Sequence, residues 1–203
     1  MKKIAVLASG RGSNFQALLD SIKAGRIDGT CVALLTDNRE AYAIERAKQA
    51  GVPVIVHHFR DYPSKEAYEA DLLASMKQTG ADLFVCAGYM RIVGAKITDT
   101  FAGRMINIHP ALLPAFPGLH GQKQALDYGV KIAGCTVHFM DSGLDSGPII
   151  VQKAVPVLDD DTEDSLADRI LEQEHIAYSE AVALFCSDRL VIEGRHVRIL
   201  PQK

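Results

Sequence analysis

From its first residues the chain alternates short β-branched apolar runs with amphipathic stretches of helical period. That order is the signature of βαβ units closing a parallel sheet. "KIAVLAS" reads as the first strand. Asn14 then opens a helix whose Phe15, Leu18, Leu19 and Ile22 share one face, with Gly25 as its terminator. "TCVALLTD" is the second strand, a helix runs from about Ala41 to Gly51, and "VPVIVH" is the third. "SKEAYEADLLASMKQTG" predicts a longer helix with Tyr68, Leu72 and Met76 in register and Gly80 at its end. "DLFVCAG" and "RMINIH" are apolar nearly throughout, as strands covered on both faces are, and so belong at the centre of the sheet.

The pattern changes after residue 110. A short helix around Gln122 to Asp127 precedes "IAGCTVHFMD" and "GPIIVQKAVPV", two strands joined by "SGLDSG", where the sheet turns partly antiparallel. Thr162 is a good N-cap for a helix carrying Leu166, Ile170 and Val182 towards Phe185, and "RLVIEGRHVRIL" closes as a hairpin. The expected fold is α/β: a Rossmann-like open twisted sheet, mostly parallel with antiparallel C-terminal strands, and helices on both faces. A chain of 203 residues is long enough to bury one core, so a single domain over 1–203 is expected.

Several function classes are disfavoured at this level. Net charge is −3 with no basic run, so the overall field attracts neither nucleic acid nor anionic lipid, and an anionic ligand needs a local site. No apolar stretch is long enough for a membrane span, and Met1 to Ile4 run directly into a strand rather than a signal peptide, so the cytoplasm is the expected location. Cys31, Cys86, Cys135 and Cys186 are far apart in apolar segments and read as buried, reduced thiols. The histidines make no metal-ligand spacing, "EQEH" included, and no metal is expected.

Two stretches carry chemistry. "ASGRGSNFQALL" lies where a strand meets a helix, a junction that offers unpaired backbone N–H groups and the positive end of a helix dipole. Gly10 and Gly12 allow close backbone approach, and the Ser13 hydroxyl and Asn14 amide can bind phosphate oxygens. Phe15 replaces the third glycine of a dinucleotide fingerprint and no Gly-Lys-Ser/Thr follows, so a single monophosphate fits best. The competing reading is a tight turn with a capping serine.

The second stretch is "MINIHPALLPAFPG". Strand residues two apart point the same way, so Asn107 and His109 form one polar surface while Ile106 and Ile108 pack opposite. An amide donor beside an imidazolium suits a carbonyl that becomes a tetrahedral oxyanion, which makes acyl transfer the natural suggestion. A charged histidine wants a carboxylate partner. Asp145, in "GLDSGP", and Asp141 are the candidates; a hydrogen-bonded structural histidine is the alternative.

"SGRGSN", "AGYMRIV", "NIHPALLPAFPG", "LDSGPII" and "EQEH", in this order over nearly the whole chain, resemble the phosphoribosylglycinamide formyltransferase family of purine synthesis. The resemblance implies transfer of a formyl group from 10-formyltetrahydrofolate, as co-substrate and without metal, to the amine of glycinamide ribonucleotide. It implies that Asn107, His109 and Asp145 are catalytic, with Asp145 preferred to Asp141 as the carboxylate that keeps the histidine charged. Gly12, Ser13 and Asn14 match the segment that holds the ribose phosphate. Glu174 matches a carboxylate for the glycinamide amine, although periodicity alone makes it a solvated helix residue.

The implied folate contacts are Lys65, Met90, Arg91, Ile92, Val93, Asn107 and Asp141; without the resemblance "MRIV" reads as a strand end. The N-terminal part would then bind the ribonucleotide phosphate, and the C-terminal part would carry folate binding and catalysis. Lys65 stands where an arginine often contacts folate, and lysine lacks the bidentate fork. Ala115 stands where some members carry a basic residue. Partners are small molecules, with neither nucleic acid nor membrane, and a homodimer is admitted. The rival readings are a formyltetrahydrofolate hydrolase, whose extra N-terminal domain has no room before a strand that begins by Lys3, and a non-catalytic nucleotide-binding domain. Methionyl-tRNA formyltransferases add a C-terminal RNA-facing domain that this chain is not expected to have.

Overall fold

The computed structural model describes residues 1–202. The chain forms β1 (Lys2–Leu7), α1 (Ser13–Lys23), β2 (Gly29–Thr36), α2 (Ala43–Gln49), β3 (Val54–Val56) and α3 (Lys65–Gln78). It continues with β4 (Leu83–Cys86), α4 (Ala95–Thr100), β5 (Met105–His109), α5 (Gly121–Tyr128), β6 (Ile132–Phe139) and β7 (Ile149–Pro156). The helix α6 (Glu163–Cys186) and the strands β8 (Leu190–Glu193) and β9 (His196–Ile199) complete it. The fold is the mixed α/β class expected, a mostly parallel seven-stranded sheet with antiparallel strands towards the C-terminus. Two compact units divide the chain, Met1–Ile106 and Asn107–Lys203.

In the first unit the strand order is β3-β2-β1-β4, with β1 parallel to both β2 and β4 and β2 parallel to β3, and the Phe84 N–H donates to the Arg104 carbonyl just ahead of β5. Ile4 to Leu7 and Leu83 to Val85 are at most 1% exposed, which explains why neither β1 nor β4 shows an alternating pattern. Apart from Ala5, each such side chain contributes about 1.5–3 kcal/mol by leaving water. Phe15 and Leu18 of α1, and Tyr68, Leu72 and Met76 of α3, are buried as their periodicity requires. Gly25 and Gly80 end those helices at positive φ.

In the second unit β6 and β7 pair antiparallel from Ile132↔Pro156 to His138↔Ile149, with a register shift between Val137 and His138. α6 packs on both strands. Its start is a capping box: Thr162 accepts from the Ser165 N–H, and the Ser165 hydroxyl accepts from the Thr162 N–H. β8 and β9 form the expected hairpin.

Three details differ from the sequence reading. α4, and a 3-10 turn at Phe59–Asp61, were not anticipated, because six and three residues are too short to show an apolar stripe. "MRIV" lies in an irregular loop after β4 rather than at a strand end. All four cysteines are free thiols, but Cys31 is half-buried where the other three are buried; burial pushes the Cys31, Cys86 and Cys135 thiols up to about 12.

His57 is buried, its Nδ1 2.7 Å from the Tyr62 hydroxyl, and burial lowers its pKa from the ordinary 6.5 despite the neighbouring Asp71. Below that pH the unfolded chain takes up a proton that the folded chain resists. Stability is therefore fully present above about pH 6.5 and falls as the pH drops towards the folded value. In urea titrations at pH 7 and pH 5, His57→Gln should show a smaller loss on acidification than the parent; an identical loss would remove His57 from the cause.

Candidate active site

The first cluster is the turn between β1 and α1. Gly12 stands at the N-cap of α1 with φ +68, and a Cβ there would lie 2.8 Å from the Ala43 Cβ. Both backbone conformation and packing therefore demand glycine. α1 begins at Ser13 and no side chain caps it, which removes the capping-serine reading. No N-cap side chain therefore sits at the positive end of the helix dipole. Arg46 braces the turn from α2, its Nε donating to the Arg11 carbonyl at 2.8 Å and its Nη1 to Gln16 Oε1 at 3.1 Å.

The second cluster is the loop after β4. Gly88 turns it at φ +74, and the Met90 N–H donates to the Ser9 hydroxyl at 2.9 Å. Arg91 lies 4.0 Å over the Phe59 ring, and its Nε is 3.1 Å from Asp37 Oδ2. Met90 and Ile92 are 72% and 77% exposed, so the loop presents apolar side chains rather than burying them. Lys65, at the start of α3, turns its ammonium towards Glu69 Oε1 at 3.6 Å and is largely exposed.

The third cluster lies within the second unit. His109 is buried at the end of β5, with an oxygen beside each ring nitrogen: the Phe116 carbonyl 2.7 Å from Nε2, and Asp145 Oδ2 3.5 Å from Nδ1. Two acceptors facing one imidazole suit the doubly protonated ring. Asp145 Oδ2 also accepts the Gly118 N–H at 2.9 Å, and Oδ1 lies 3.8 Å from His138 Nε2. His138 is buried, its Nδ1 donates to the Phe139 carbonyl at 2.9 Å, and burial lowers its pKa. A neutral His138 leaves the Asp145 charge to His109.

The loop between β6 and β7 delivers that carboxylate. Asp145 adopts φ +49, and Gly147 packs so tightly on the Phe139 carbonyl that a Cβ would overlap it. Asp141, by contrast, is exposed and accepts from the Gly143 N–H at 3.0 Å and the Ser146 hydroxyl at 2.6 Å. Of the two candidate carboxylates, the structure brings Asp145 to His109 and uses Asp141 to shape the loop.

The segment after His109 is pinned from below. Thr136 of β6 donates to the Ala111 carbonyl at 2.7 Å and accepts from the Leu113 N–H at 3.0 Å; Gln152 of β7 donates to the Leu113 carbonyl at 2.9 Å. The Leu113–Pro114 peptide is cis. Asn107 is half-buried two residues before His109. Glu174 is buried in α6 instead of solvated, and its charge contributes to raising the Cys135 thiol. A buried carboxylate on a helix otherwise packed with apolar residues marks a candidate site.

A family model described as formyl transferase matches residues 2–182. The chain belongs to that family. It is 41% identical over 187 residues to the phosphoribosylglycinamide formyltransferase of Escherichia coli, covering 92% of this chain and 88% of that one. It is 46% identical over 193 residues to the trifunctional purine biosynthetic protein adenosine-3 of Drosophila melanogaster, covering 94% of this chain but spanning only 14% of that protein's length. The crystal structure of glycinamide ribonucleotide transformylase 1 from Symbiobacterium toebii superposes with a TM-score of 0.97 at 52% identity, over 99% of this chain and 95% of that one.

Within this member of the family, Ser9, Asp37, Phe116, Gly118 and His138 stand in the clusters without having been singled out from sequence. Phe116 and Gly118 act through backbone atoms, which a residue type does not advertise. The φ of +52 at Phe116 had no signal beyond the surrounding prolines. Deleting the Asp145 carboxylate, as Asp145→Ala, should speed amide hydrogen exchange at Gly118 about tenfold or more, since a charged acceptor is worth about 1.5–3 kcal/mol. Unchanged exchange would mean that the loop is held by other contacts.

Proposed function

We propose that this protein transfers the formyl group of 10-formyltetrahydrofolate to the amine of glycinamide ribonucleotide, in the cytoplasm and with these small molecules as its substrates. The observation that carries the reading is His109 set between the Asp145 carboxylate and the Phe116 carbonyl, with Asn107 two residues earlier on the same strand. The family membership names the acyl group.

Each cluster has a role. Gly12, Ser13 and Asn14 at the start of α1 take the ribose phosphate, where the backbone N–H groups of the helix's first turn and the helix dipole favour an anion. The backbone of Met90 to Val93 reads the pterin edge while Met90 and Ile92 cover its face; their exposure fits a surface made to be covered by a ligand. Asn107 and Asp141 complete the folate contacts. Lys65 contributes charge alone, because Glu69 shares its ammonium. Glu174 holds the glycinamide amine.

In the chemical step the amine nitrogen bonds to the formyl carbon, the bond from that carbon to the folate nitrogen breaks, and the proton lost by the amine ends on the departing nitrogen. Asn107 and protonated His109 donate to the formyl oxygen as it gains charge. Asp145 keeps Nδ1, so Nε2 is the nitrogen for the substrate, and the Phe116 carbonyl must share or release its proton. Donors aimed at charge present only in the transition state lower the barrier without over-stabilising the ground state, by about 3 kcal/mol each.

The test incubates the protein with 10-formyltetrahydrofolate, with and without glycinamide ribonucleotide, and follows free folate. Release only with the ribonucleotide is expected; release without it would make the protein a hydrolase, and none at all would make it a binder. His109→Asn and Asp145→Asn should each lower kcat by about 100-fold or more. Ser13→Ala should mainly raise KM for the ribonucleotide. Parent-like rates in a folded His109→Asn protein would overturn the mechanism.

A further inference from the structure

Ser9 is joined to the loop after β4 by two hydrogen bonds that the proposed chemistry does not use. Its backbone N–H donates to the Gly88 carbonyl at 3.1 Å, and its hydroxyl oxygen accepts from the Met90 N–H at 2.9 Å. A hydroxyl has a single proton, and the Ser9 proton goes to Asp37 Oδ1 at 2.5 Å. That commitment turns the oxygen's lone pairs towards Met90. The Ser9 carbonyl in turn accepts from the Asn38 amide at 3.1 Å. Ser9 is buried, so each of these bonds is made out of water and is costly to leave unmade.

Asp37 spans to the far side of the same loop. Its side chain is 10% exposed, and its Oδ2 lies 3.1 Å from Arg91 Nε. Arg91 is held in turn over the Phe59 ring at 4.0 Å and the Tyr68 ring at 5.7 Å, while Tyr68 and Tyr89 join hydroxyl to hydroxyl. One carboxylate therefore orients both the hydroxyl that holds Met90 and the guanidinium that anchors Arg91. On its other side Ser9 leads directly into the turn, where the Gly10 carbonyl accepts from the Ala43 N–H at 3.1 Å. The turn proposed for phosphate and the loop proposed for folate meet in a single residue.

We propose that Ser9 and Asp37 are positioning residues that couple the two binding events. Ordering of the turn by a phosphate fixes Ser9, which fixes the Gly88–Met90 backbone and lowers the entropy lost when a pterin docks on it. The inference rests on the roles proposed above for Gly12 to Asn14 and Met90 to Val93. By linkage the coupling is reciprocal: each ligand tightens the other by the same factor.

The test is calorimetric titration of the parent protein with tetrahydrofolate, with and without saturating glycinamide ribonucleotide, and the converse titration. About a fivefold tightening in each direction is expected for the parent, falling to none in Ser9→Ala, with Ser9→Thr restoring it because the hydroxyl returns. Asp37→Ala supplies a second variant, expected to lose the coupling while the ribonucleotide alone still binds at parent affinity. In steady-state assays both losses should appear as a raised KM for the folate with little change in kcat. Binding of both ligands to the parent without mutual tightening, or full coupling in folded Ser9→Ala and Asp37→Ala, would overturn the coupling alone. A parent that binds neither ligand would overturn the proposed function and the coupling together.

Discussion

The second unit is organised around one carboxylate. Asp145 is nearly buried, which is costly for a charge unless donors surround it. The Gly118 N–H answers one oxygen and the His109 ring lies beside it. To reach that position the β6–β7 loop accepts a left-handed backbone at Asp145 and a glycine pressed against the Phe139 carbonyl. Such strain persists only where the surroundings over-determine it, and the antiparallel pair beneath, shifted in register at His138, supplies the rigidity.

The Pro-rich segment after His109 follows from the same requirement. Its backbone polar groups are partly buried and need partners, which Thr136 and Gln152 provide from the strands below. Pro114 and Pro117 remove conformations the segment would otherwise explore. What results is a loop stiff enough to lay one backbone carbonyl on His109 Nε2 and one backbone N–H on Asp145. The first unit solves its problem differently, with Gly12 admitting the close approach of α2 and the Ser9 hydroxyl and Asp37 carboxylate joining loops that are distant in sequence.

Much of the fold was legible. "DLFVCAG" reads as a strand covered on both faces because it is apolar nearly throughout, and Tyr68, Leu72 and Met76 recur at the helical period. α4 was not legible, because a one-and-a-half-turn helix leaves no periodic trace. Glu174 illustrates the opposite failure. Its neighbours in sequence are polar, so local reading puts it in water, whereas α6 packs on β6 and β7 closely enough to bury it.

By itself the sequence determined the α/β class, the aim of Asn107 and His109 towards one side of their strand, and the glycine-rich entry to α1. These are local matters: side-chain periodicity and backbone freedom are properties of adjacent residues. The choice of Asp145 over Asp141 from the residues themselves, the oxygen on each side of the His109 ring, and the link from Ser9 through Asp37 to Arg91 were decided by tertiary structure. Each joins groups separated by many residues, often through backbone atoms. Their approach depends on how strands stack and loops return, which no single stretch of chain encodes.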